Sequence, residues 1–372
     1  MAMEYSEKEL GWLWLNTVLG TSVKLTERLV VLNGGASAVY EKARKGEPLS
    51  LPEAVTPRQK AALMKRFREG ELASFTDALE RGGFHAVTRD SEDYPRLLRE
   101  IYDPPTVLYV KGRLHADTAL PIAVIGSRKC SDYGREAAMH FGFELAEHGA
   151  CVISGMALGC DASAAIGALR SRSSEYPTLA VLGSGIDVIY PQSNKRLYDM
   201  IAERGAVITE MRPGLRPTRE SFPQRNRIIS GLSKGILVVE AAAKSGTRIT
   251  VDFAHEQGRD VFAVPGRITD PLSAGTNLMI KSGEAKAVFG VDDVLYEYGI
   301  FLAEPPSPIH NADISGLDAN ERKLFELLKT GEKTVDALCE ISGLDAAEIN
   351  ICLTEMELSG IIRQLPNGLY SV

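Results

Sequence analysis

The middle of the chain alternates short apolar runs with amphipathic segments, and this alternation constrains the fold more than any other feature. Each run is nearly continuous in Val, Ile, Leu and Ala, which is typical of strands covered by helices on both faces. Residues 116–298 therefore predict an α/β fold with a doubly wound parallel sheet. The predicted strands are Ile122–Ile125, Cys151–Ser154, Leu179–Leu182, Ala206–Thr209, Ile236–Glu240 and Val261–Val264.

Two smaller regions flank the predicted sheet. Residues 4–100 carry helical patterns, and Thr56 is expected to cap the helix that begins at Pro57. Three helical patterns and a hairpin at Gly360–Tyr370 follow the order of a winged helix. We predict a helical domain of SAM or helix-hairpin-helix type over 1–92, the sheet domain over 93–302, a Pro-rich linker over 303–314 and a winged-helix domain over 315–372. The predicted N-terminal helices are Glu7–Leu19, Lys24–Leu32 and Pro57–Phe67.

Composition and charge narrow the class of protein. With 44% hydrophobic and 24% charged residues, the chain has the composition of a soluble globular protein. No apolar run approaches the roughly 18 residues that cross a bilayer, and no basic signal-peptide start is present, so we expect a cytoplasmic protein. Five cysteines without a C-x-x-C pair predict reduced thiols, and we expect no metal and no cofactor. The net charge of −7 argues against binding nucleic acid through the overall field.

Four enzyme motifs fail on spacing or context. No G-x-x-x-x-G-K-[ST] loop is present, and the dinucleotide fingerprint that begins at Gly183 has Val188 in place of its third glycine. Arg259 replaces the second histidine of H-E-x-x-H. The G-x-S-x-G around Ser233 lies between a helical pattern and a strand, which is the reverse of a hydrolase elbow.

The turn after the first predicted strand is a candidate anion site. Gly126, Ser127 and Arg128 lead from that strand into a helix, so backbone N–H groups and the helix dipole are expected to face an anion. A guanidinium at Arg128 would add charge-assisted contacts to phosphate. Alternatively, Arg128 pairs with a carboxylate on a surface turn, and spacing leaves both interpretations open.

A basic island lies within this acidic chain at 211–234. It has a local charge of +5, with Glu220 as its one acidic residue. Phe222 stands among the arginines, and basic groups beside an aromatic platform suit single-stranded nucleic acid. The alternative is that Phe222 anchors the core while the arginines form a solvated face. The basic residues are Arg212, Arg216, Arg219, Arg225, Arg227 and Lys234.

Two other strand-to-helix loops are expected at the same edge of the sheet. Asp161 stands where it would either cap a helix or bind a ligand, and the pattern fits both roles. Ser245, Gly246 and Thr247 form a candidate anion or nucleotide loop. In the C-terminal domain, by contrast, the predicted recognition helix Ala346–Leu358 carries glutamates and no Lys or Arg. We therefore expect the winged helix to bind protein or act as a spacer rather than read DNA.

Motifs in a recognisable order extend over nearly the whole chain. They are Asp93-Tyr-Pro-Arg-Leu-Leu with Asp103-Pro-Pro and Lys111-Gly112, Ala123-Val-Ile-Gly-Ser-Arg128, Ser154-Gly155 with Gly159 and Asp161, Ala180-Val-Leu-Gly with Tyr190-Pro191, Phe222-Pro-Gln-Arg-Asn-Arg-Ile-Ile229, Val238-Val-Glu240 with Ser245-Gly246, and Val264-Pro-Gly266 with Gly275. Together they resemble the DprA/Smf family of bacterial DNA-processing proteins. The combination is more specific than any single glycine motif.

The resemblance implies a Rossmann-like, non-catalytic protein that binds single-stranded DNA without sequence preference. It also implies that the protein protects incoming DNA, loads the RecA recombinase during natural transformation and recombination, forms a homodimer through the Rossmann-like domain and does not involve a membrane. The family's DNA contacts lie in the G-S-R turn and the F-P-x-R-N-R segment, with a weaker candidate after Tyr190-Pro191. The corresponding residues are Gly126, Ser127, Arg128, Lys195, Phe222, Arg225, Asn226 and Arg227.

These residues have distinct expected roles. Arg128, Arg225 and Arg227 are expected to hold phosphates, and Phe222 is expected to stack on a base. The backbone of residues 126–127 is expected to donate to a phosphate oxygen.

Two departures from known patterns bear on function. The DprA/Smf family usually has A-R-G-[IV]-D-x-x-A-H, whereas residues 157–165 here lack both the Arg and the His. A second family of related fold binds or hydrolyses nucleotides as a phosphoribohydrolase with a P-G-G-x-G-T-x-x-E loop. That enzymatic alternative is weakened because Thr250 stands where the carboxylate would stabilise the transition state.

Overall fold

The computed structural model describes residues 5–64, 69–115, 120–301, 316–359, 361–364 and 369–371. The chain forms two compact units, Met1–Val294 and Leu295–Val372. The finer domain limits at residues 92, 302 and 314 stay predictions. Within the described ranges, no helix is both long and apolar enough to cross a bilayer.

Among the described residues, five helices precede the first strand of the sheet, and local capping explains where two of them begin. Ser6 and Glu9 form a capping box in which each side chain accepts the backbone N–H of the other. Thr56 accepts a backbone N–H at 3.3 Å and caps the fourth helix, as predicted. That predicted helix extends to Met64, beyond which residues 65–68 lie outside the described ranges. The helices are α1 (Glu7–Leu19), α2 (Val23–Leu32), α3 (Ala36–Lys45), α4 (Pro57–Met64) and α5 (Glu69–Arg81).

A nine-stranded sheet forms the centre of the first unit. Its strands are β1 (His85–Thr88), β2 (Val107–Gly112), β3 (Leu120–Ile125), β4 (Ala150–Ser154), β5 (Thr178–Val181), β6 (Ala206–Thr209), β7 (Gly235–Val238), β8 (Asp260–Ala263) and β9 (Lys286–Ala287). They pair in the order β1-β2-β6-β5-β4-β3-β7-β8-β9. The strands from β3 onward are parallel, and β1 and β2 extend one edge in antiparallel pairing.

The parallel strands are connected by helices, which confirms the predicted doubly wound α/β architecture. Every residue of β3 to β7 is buried, as expected for strands with both faces covered. The chain runs outward from β3 to β6 and then crosses to β7 on the other side of β3, which leaves a crevice at the carboxyl ends of β3 and β7. The helices are α6 (Arg96–Arg99), α7 (Asp132–Glu147), α8 (Cys160–Arg170), α9 (Lys195–Arg204), α10 (Ser221–Gly231), α11 (Thr247–Glu256), α12 (Ala274–Lys281) and α13 (Val291–Glu297), with a 3₁₀ turn at Gln192–Asn194.

Three strands were not predicted from the sequence. The strands β1 and β9 have four and two residues, too short to stand out as apolar runs. The strand β2 directly follows the prolines of 104–105 and forms an antiparallel pair with β6, outside the parallel pattern. The segment 93–112, predicted only to lead into the sheet, therefore contributes a strand to it.

Glycines allow the helices α7 and α8 to pack with their backbones in contact. A Cβ at Gly142 would overlap the carbonyl of Ala164, and one at Gly167 would overlap the carbonyl of Met139. We expect Gly142→Ala to destabilise the protein by about 1–3 kcal/mol, the usual cost of overpacking. Chemical denaturation followed by circular dichroism measures this loss.

Gly70 provides the matched control for this substitution. It lies in α5, and apart from its own helix none of the described atoms lies within 4 Å of the point that a Cβ would occupy there, so Gly70→Ala adds the same methyl group without a clash among them. The higher helix propensity of alanine should leave stability unchanged or raise it by up to about 1 kcal/mol. Equal midpoints for Gly142→Ala and the unaltered protein would contradict the packing argument.

The second unit contains three helices and a short hairpin, as predicted for a winged helix. They are α14 (Ala319–Lys329), α15 (Val335–Ser342), α16 (Ala346–Leu358), β10 (Arg363–Gln364) and β11 (Tyr370–Ser371). Ile349, Cys352, Leu353 and Met356 are buried, which confirms the predicted apolar face of α16. Its three glutamates, at 348, 355 and 357, are exposed. The expectation that this surface does not read DNA stays a prediction.

Candidate functional site

A cleft of 570 Å³ opens at the carboxyl ends of β3 and β7, at the switch point of the sheet. Loops that follow β3, β4, β5 and β7, together with the start of α10, form its walls. This is the expected position for a ligand in a doubly wound sheet. The lining residues are Ile125, Gly126, Ser127, Arg128, Ala157, Asp161, Tyr190, Arg219, Phe222, Pro223, Arg225, Asn226, Ile229, Ser245, Gly246, Thr247, Ile249 and Thr250.

Arg128 is the cation best placed to meet a ligand. Its side chain is exposed, and none of the described carboxylates forms an ion pair with it. Its guanidinium lies 4.9 Å from the ring centroid of Phe222, in a cation–π arrangement. The structure therefore disfavours the alternative in which Arg128 pairs with a neighbouring carboxylate.

The backbone of the same turn is less available than predicted. The N–H of Ser127 donates to the carbonyl of Glu240 at 2.8 Å. Burial raises the pKa of Asp161, and the nearby backbone of Gly126 is among the groups that oppose this shift. The N–H of Ser127 therefore holds the turn in place and is not free for a phosphate, whereas the predicted phosphate contact of the Gly126 N–H stays a prediction.

Phe222 and Tyr190 form an aromatic pair on the cleft wall. Their ring centroids are 5.5 Å apart with an interplanar angle of 44°. Phe222 is half-buried and lies within 3.0 Å of a Cβ position at Gly183, so only part of its ring faces the cleft. Tyr190 is 48% exposed. Phe222 is thus both an anchor and a platform, which joins the two roles that the sequence left as alternatives.

Arg225 lines the cleft but is buried, with only 4% of its surface exposed. Its Nη1 donates to the carbonyls of Gly155, at 2.9 Å, and of Val181, which follow or end β4 and β5. Burial lowers the pKa of Arg225 to about 10, and the charge of Asp161 opposes this shift. This guanidinium holds two strand ends together, and its predicted contact with phosphate stays a prediction.

Asn226 lines the cleft beside Arg225 and is half-buried. Its Oδ1 accepts the Nε–H of Arg225 at 3.1 Å. This bond fixes the amide orientation, so that the NH₂ group is the part of the side chain left to donate to a ligand.

Arg227 lies outside the cleft. Its Nε is 3.1 Å from Asp103 and its Nη2 is 2.6 Å from Glu210, and both Arg227 and Glu210 are 3% exposed. Burial raises the pKa of Glu210 to about 7, while the charge of Arg227 opposes the shift. The prediction that Arg227 holds a phosphate is contradicted by this geometry, because its guanidinium is engaged by two carboxylates away from the turn after β3.

Lys195 also lies outside the residues that line the cleft. It begins α9, is exposed and forms an ion pair with Asp199 at 2.9 Å. Arg219, by contrast, lines the cleft with an exposed side chain, and none of the described carboxylates pairs with it. Arg219 belongs to the basic island but was not predicted to contact DNA. Tyr190 belongs to the Tyr190-Pro191 motif and was not predicted to contact DNA either.

The two secondary loops are mostly satisfied internally. Asp161 does not cap α8 through its side chain; it accepts the N–H of Gly155 at 2.9 Å. Burial raises the pKa of Asp161, while the charge of Arg225 and three backbone N–H groups lower it. In the other loop, the N–H of Thr247 donates to the Oγ of Ser245 at 3.2 Å. The cleft loop at 245–247 therefore offers fewer donors to an anion than its sequence predicts.

Comparison with known proteins settles the family. A family model described as DNA recombination-mediator protein A matches residues 85–299, more than half of the chain. The chain belongs to the DprA/Smf family. A second model, the DprA winged helix domain, matches residues 305–368. Both the resemblance and the fold class inferred from the sequence are thereby confirmed.

Individual relatives of the DprA/Smf family cover most of the chain. Protein Smf of Escherichia coli K12 is 39% identical over 295 residues, which are 78% of this chain and 78% of that protein. The DNA processing protein DprA of Streptococcus pneumoniae R6 is 40% identical over 65% of this chain and 83% of its own length.

Solved DprA structures share the fold. The X-ray structure of DprA from Streptococcus pneumoniae has a TM-score of 0.62 at 33% identity and covers 79% of this chain and 99% of that chain. A structure of DNA processing protein A from Helicobacter pylori, described for its unique single-stranded DNA binding mode, has a TM-score of 0.53 at 29% identity and covers 58% of this chain and 95% of that chain.

The cleft gathers most of the residues that the DprA/Smf resemblance assigns to DNA. Gly126, Ser127, Arg128, Phe222, Arg225 and Asn226 all line it, whereas Lys195 and Arg227 do not. Among those six, Ser127, Arg128, Phe222 and Asn226 present side-chain groups that no described internal contact fully uses. The hydroxyl of Ser127 accepts the N–H of Lys129 at 3.2 Å and keeps its own hydrogen to donate.

Proposed function

We propose that this protein binds single-stranded DNA in the cleft at the switch point, without sequence preference and without catalysis. The observation that carries the proposal is the exposed guanidinium of Arg128 stacked over Phe222, beside Tyr190 and Arg219. The relative from Helicobacter pylori is described by its single-stranded DNA binding, which supports the same activity here.

The proposed division of roles follows from the geometry. Arg128 and Arg219 meet phosphates, since both are exposed and no described carboxylate neutralises them. The exposed part of Tyr190 and the Arg128–Phe222 stack provide flat surfaces for unpaired bases. The NH₂ group of Asn226 donates to a phosphate or base acceptor. A duplex keeps its bases stacked inside and cannot use the flat surfaces, so the cleft favours single strands.

The experiment that tests this function is fluorescence anisotropy with single-stranded and duplex oligonucleotides of matched length. We expect tighter binding of the single strand and similar affinities for different base compositions. The logarithm of the association constant should fall with the logarithm of salt concentration by about 0.7 per phosphate contact, or about 1.4 for the two arginines. Equal affinity for the duplex, or no salt dependence, would contradict the proposal.

The same cleft argues against the phosphoribohydrolase alternative. Its described carboxylate, Asp161, is engaged by backbone N–H groups and faces Arg225, and Thr250 is buried. Neither group is set to stabilise a positively charged sugar in a transition state. Release of free base from a nucleoside monophosphate by the purified protein would favour the enzyme.

We further propose that the protein acts in the cytoplasm as a homodimer that protects incoming DNA and loads RecA during natural transformation and recombination. Membership of the DprA/Smf family supports this part of the proposal. Co-precipitation of RecA with the full chain in the presence of single-stranded DNA tests it, and light scattering tests the dimer.

A further inference from the structure

Two thiols and a buried carboxylate converge beneath the turn that carries Arg128. The Sγ atoms of Cys130 and Cys160 and a carboxylate oxygen of Glu240 all lie within 4.8 Å of one another. Cys130 belongs to the turn after β3, Cys160 begins α8, and Glu240 follows β7. Two loops and the first residue of α8 therefore each contribute one ligand atom to this cluster.

The surroundings of Glu240 lack a cation. Its residue surface is 1% exposed, and its carboxylate accepts the N–H of Ser131 at 2.9 Å and the hydroxyl of Ser131. None of the described Lys, Arg or His side chains forms an ion pair with it. Buried carboxylates are normally paired with a cation or coordinate a metal, and neutral donors alone compensate this charge only in part.

The two thiols complete the cluster beside the carboxylate of Glu240. Cys160 is fully buried, and its Sγ lies 2.6 Å from a Cβ position at Gly126. Its Sγ lies within 4.8 Å of the Sγ of half-buried Cys130. Burial and then the neighbouring Cys130, Asp161 and Glu240 raise the pKa of the Cys160 thiol. A divalent cation would reverse the effect of these neighbours, because a coordinated thiol is deprotonated.

We propose that Cys130, Cys160 and Glu240 form a zinc-binding site. Two thiolates and a carboxylate are a ligand set that Zn²⁺ prefers, with a water as the fourth ligand of a tetrahedron. Zn–S bonds of about 2.3 Å place tetrahedral ligands roughly 3.8 Å apart. The three ligand atoms lie within 4.8 Å of one another, so metal binding would require them to approach by up to about 1 Å. Binding transfers the two thiol protons to solvent and involves no change of oxidation state.

The DprA/Smf pattern does not itself supply this ligand set. The family motif is usually A-R-G-[IV]-D, with Ile or Val where Cys160 stands here. A metal at this point would tie the turn after β3 to the start of α8 and to the end of β7. It would thus fix the backbone two residues from Arg128.

Cobalt titration of the full chain tests the site. The protein is first freed of metal by a chelator, and a phosphine keeps its thiols reduced. It should then bind one equivalent of Co²⁺ and show thiolate-to-metal charge transfer and the intense visible bands of tetrahedral cobalt. Added Zn²⁺ should abolish both signals. Cys130→Ser and Glu240→Gln should weaken binding at least tenfold. The control Cys339→Ser, which alters a half-buried cysteine in α15, should bind as the unaltered protein does.

A second measurement needs no variant. Zn²⁺ should slow alkylation of Cys130 in the unaltered chain at least tenfold, as read by mass spectrometry of its peptides, and leave the rate at Cys339 unchanged. Octahedral cobalt spectra would overturn the proposal, as would equal alkylation with and without Zn²⁺. A Cys130–Cys160 pair that reacts only with an oxidant would also overturn it and would leave two adjacent reduced thiols.

Discussion

Replacing Arg128 by alanine is expected to weaken the binding of single-stranded DNA by about tenfold or more. The loss corresponds to one charge-assisted contact to phosphate, worth ~1.5–3 kcal/mol. The substitution also removes the guanidinium from above the Phe222 ring. Because Arg128 is exposed and no described residue forms an ion pair with it, the thermal unfolding midpoint should stay unchanged. Anisotropy with a labelled oligonucleotide and a thermal melt measure the two quantities.

Phe222→Ala extends the same prediction to the aromatic platform. A base that loses its stacking partner loses about 1–3 kcal/mol, so affinity should fall roughly fivefold or more. The effects of Arg128→Ala and Phe222→Ala should combine to less than their sum, since the two side chains are in contact and act as one surface.

Arg172→Ala is the matched control for the loss of charge. Arg172 is exposed and follows α8, at the opposite edge of the sheet from the cleft. We expect its affinity for DNA to stay within about twofold of the unaltered protein, because exposed charges a Debye length of about 10 Å or more away are largely screened. An equal loss in Arg128→Ala and Arg172→Ala would show that the field rather than the cleft binds DNA. Full affinity in the Arg128→Ala, Phe222→Ala double variant would reject the site.

The fold followed from the sequence because burial on both faces leaves a direct trace. Continuous apolar runs predicted the strands β3 to β8, and their alternation with helical patterns predicted that these strands are parallel. The antiparallel strand β2 left no such trace, because its pairing partner β6 lies almost a hundred residues away in the chain. Pairing of that kind depends on tertiary contacts that local patterns do not encode.

The site was predictable as a location but less so as a set of contacts. Motif order placed Arg128 and Phe222 at one edge of the sheet, and both line the cleft. The same F-P-x-R-N-R segment gave Arg225 and Arg227 equal weight, although helix geometry sends these side chains to different neighbours. The carboxylates of Asp103 and Glu210 bind the guanidinium of Arg227. Both lie outside this segment of the sequence, so the motif does not reveal the ion pairs. The three ligands of the proposed zinc site are separated in the same way.

Replacing Arg227 by alanine is expected to destabilise the protein by about 3–5 kcal/mol, because it leaves the carboxylate of Glu210 buried without its partner. Burial already raises the pKa of Glu210 to about 7, and removal of Arg227 raises it further. When the pKa of a carboxylate is higher in the folded than in the unfolded state, its protonated form stabilises the folded protein. This stabilisation is fully present below the unfolded-state pKa and is lost as the pH rises through the folded-state pKa. The loss in Arg227→Ala should therefore be larger at pH 8 than at pH 5.5, and adding Glu210→Gln should recover part of it at pH 8. Urea denaturation at the two pH values measures both effects.

Arg216→Ala is the control for this prediction, since Arg216 belongs to the same basic island but is exposed. This substitution should change stability by less than about 0.5 kcal/mol.

Below its melting temperature, the folded Arg227→Ala variant should bind single-stranded DNA within about twofold of the unaltered protein, because the guanidinium of Arg227 does not reach the cleft. Loss of DNA affinity at unchanged stability would reverse this assignment and return Arg227 to the phosphate contacts. Loss of stability at unchanged affinity would show that the basic island combines two separate functions. Arg219 would face the ligand at the cleft together with Arg128 from the turn after β3, while Arg225 and Arg227 would hold the strand ends and loops that position them.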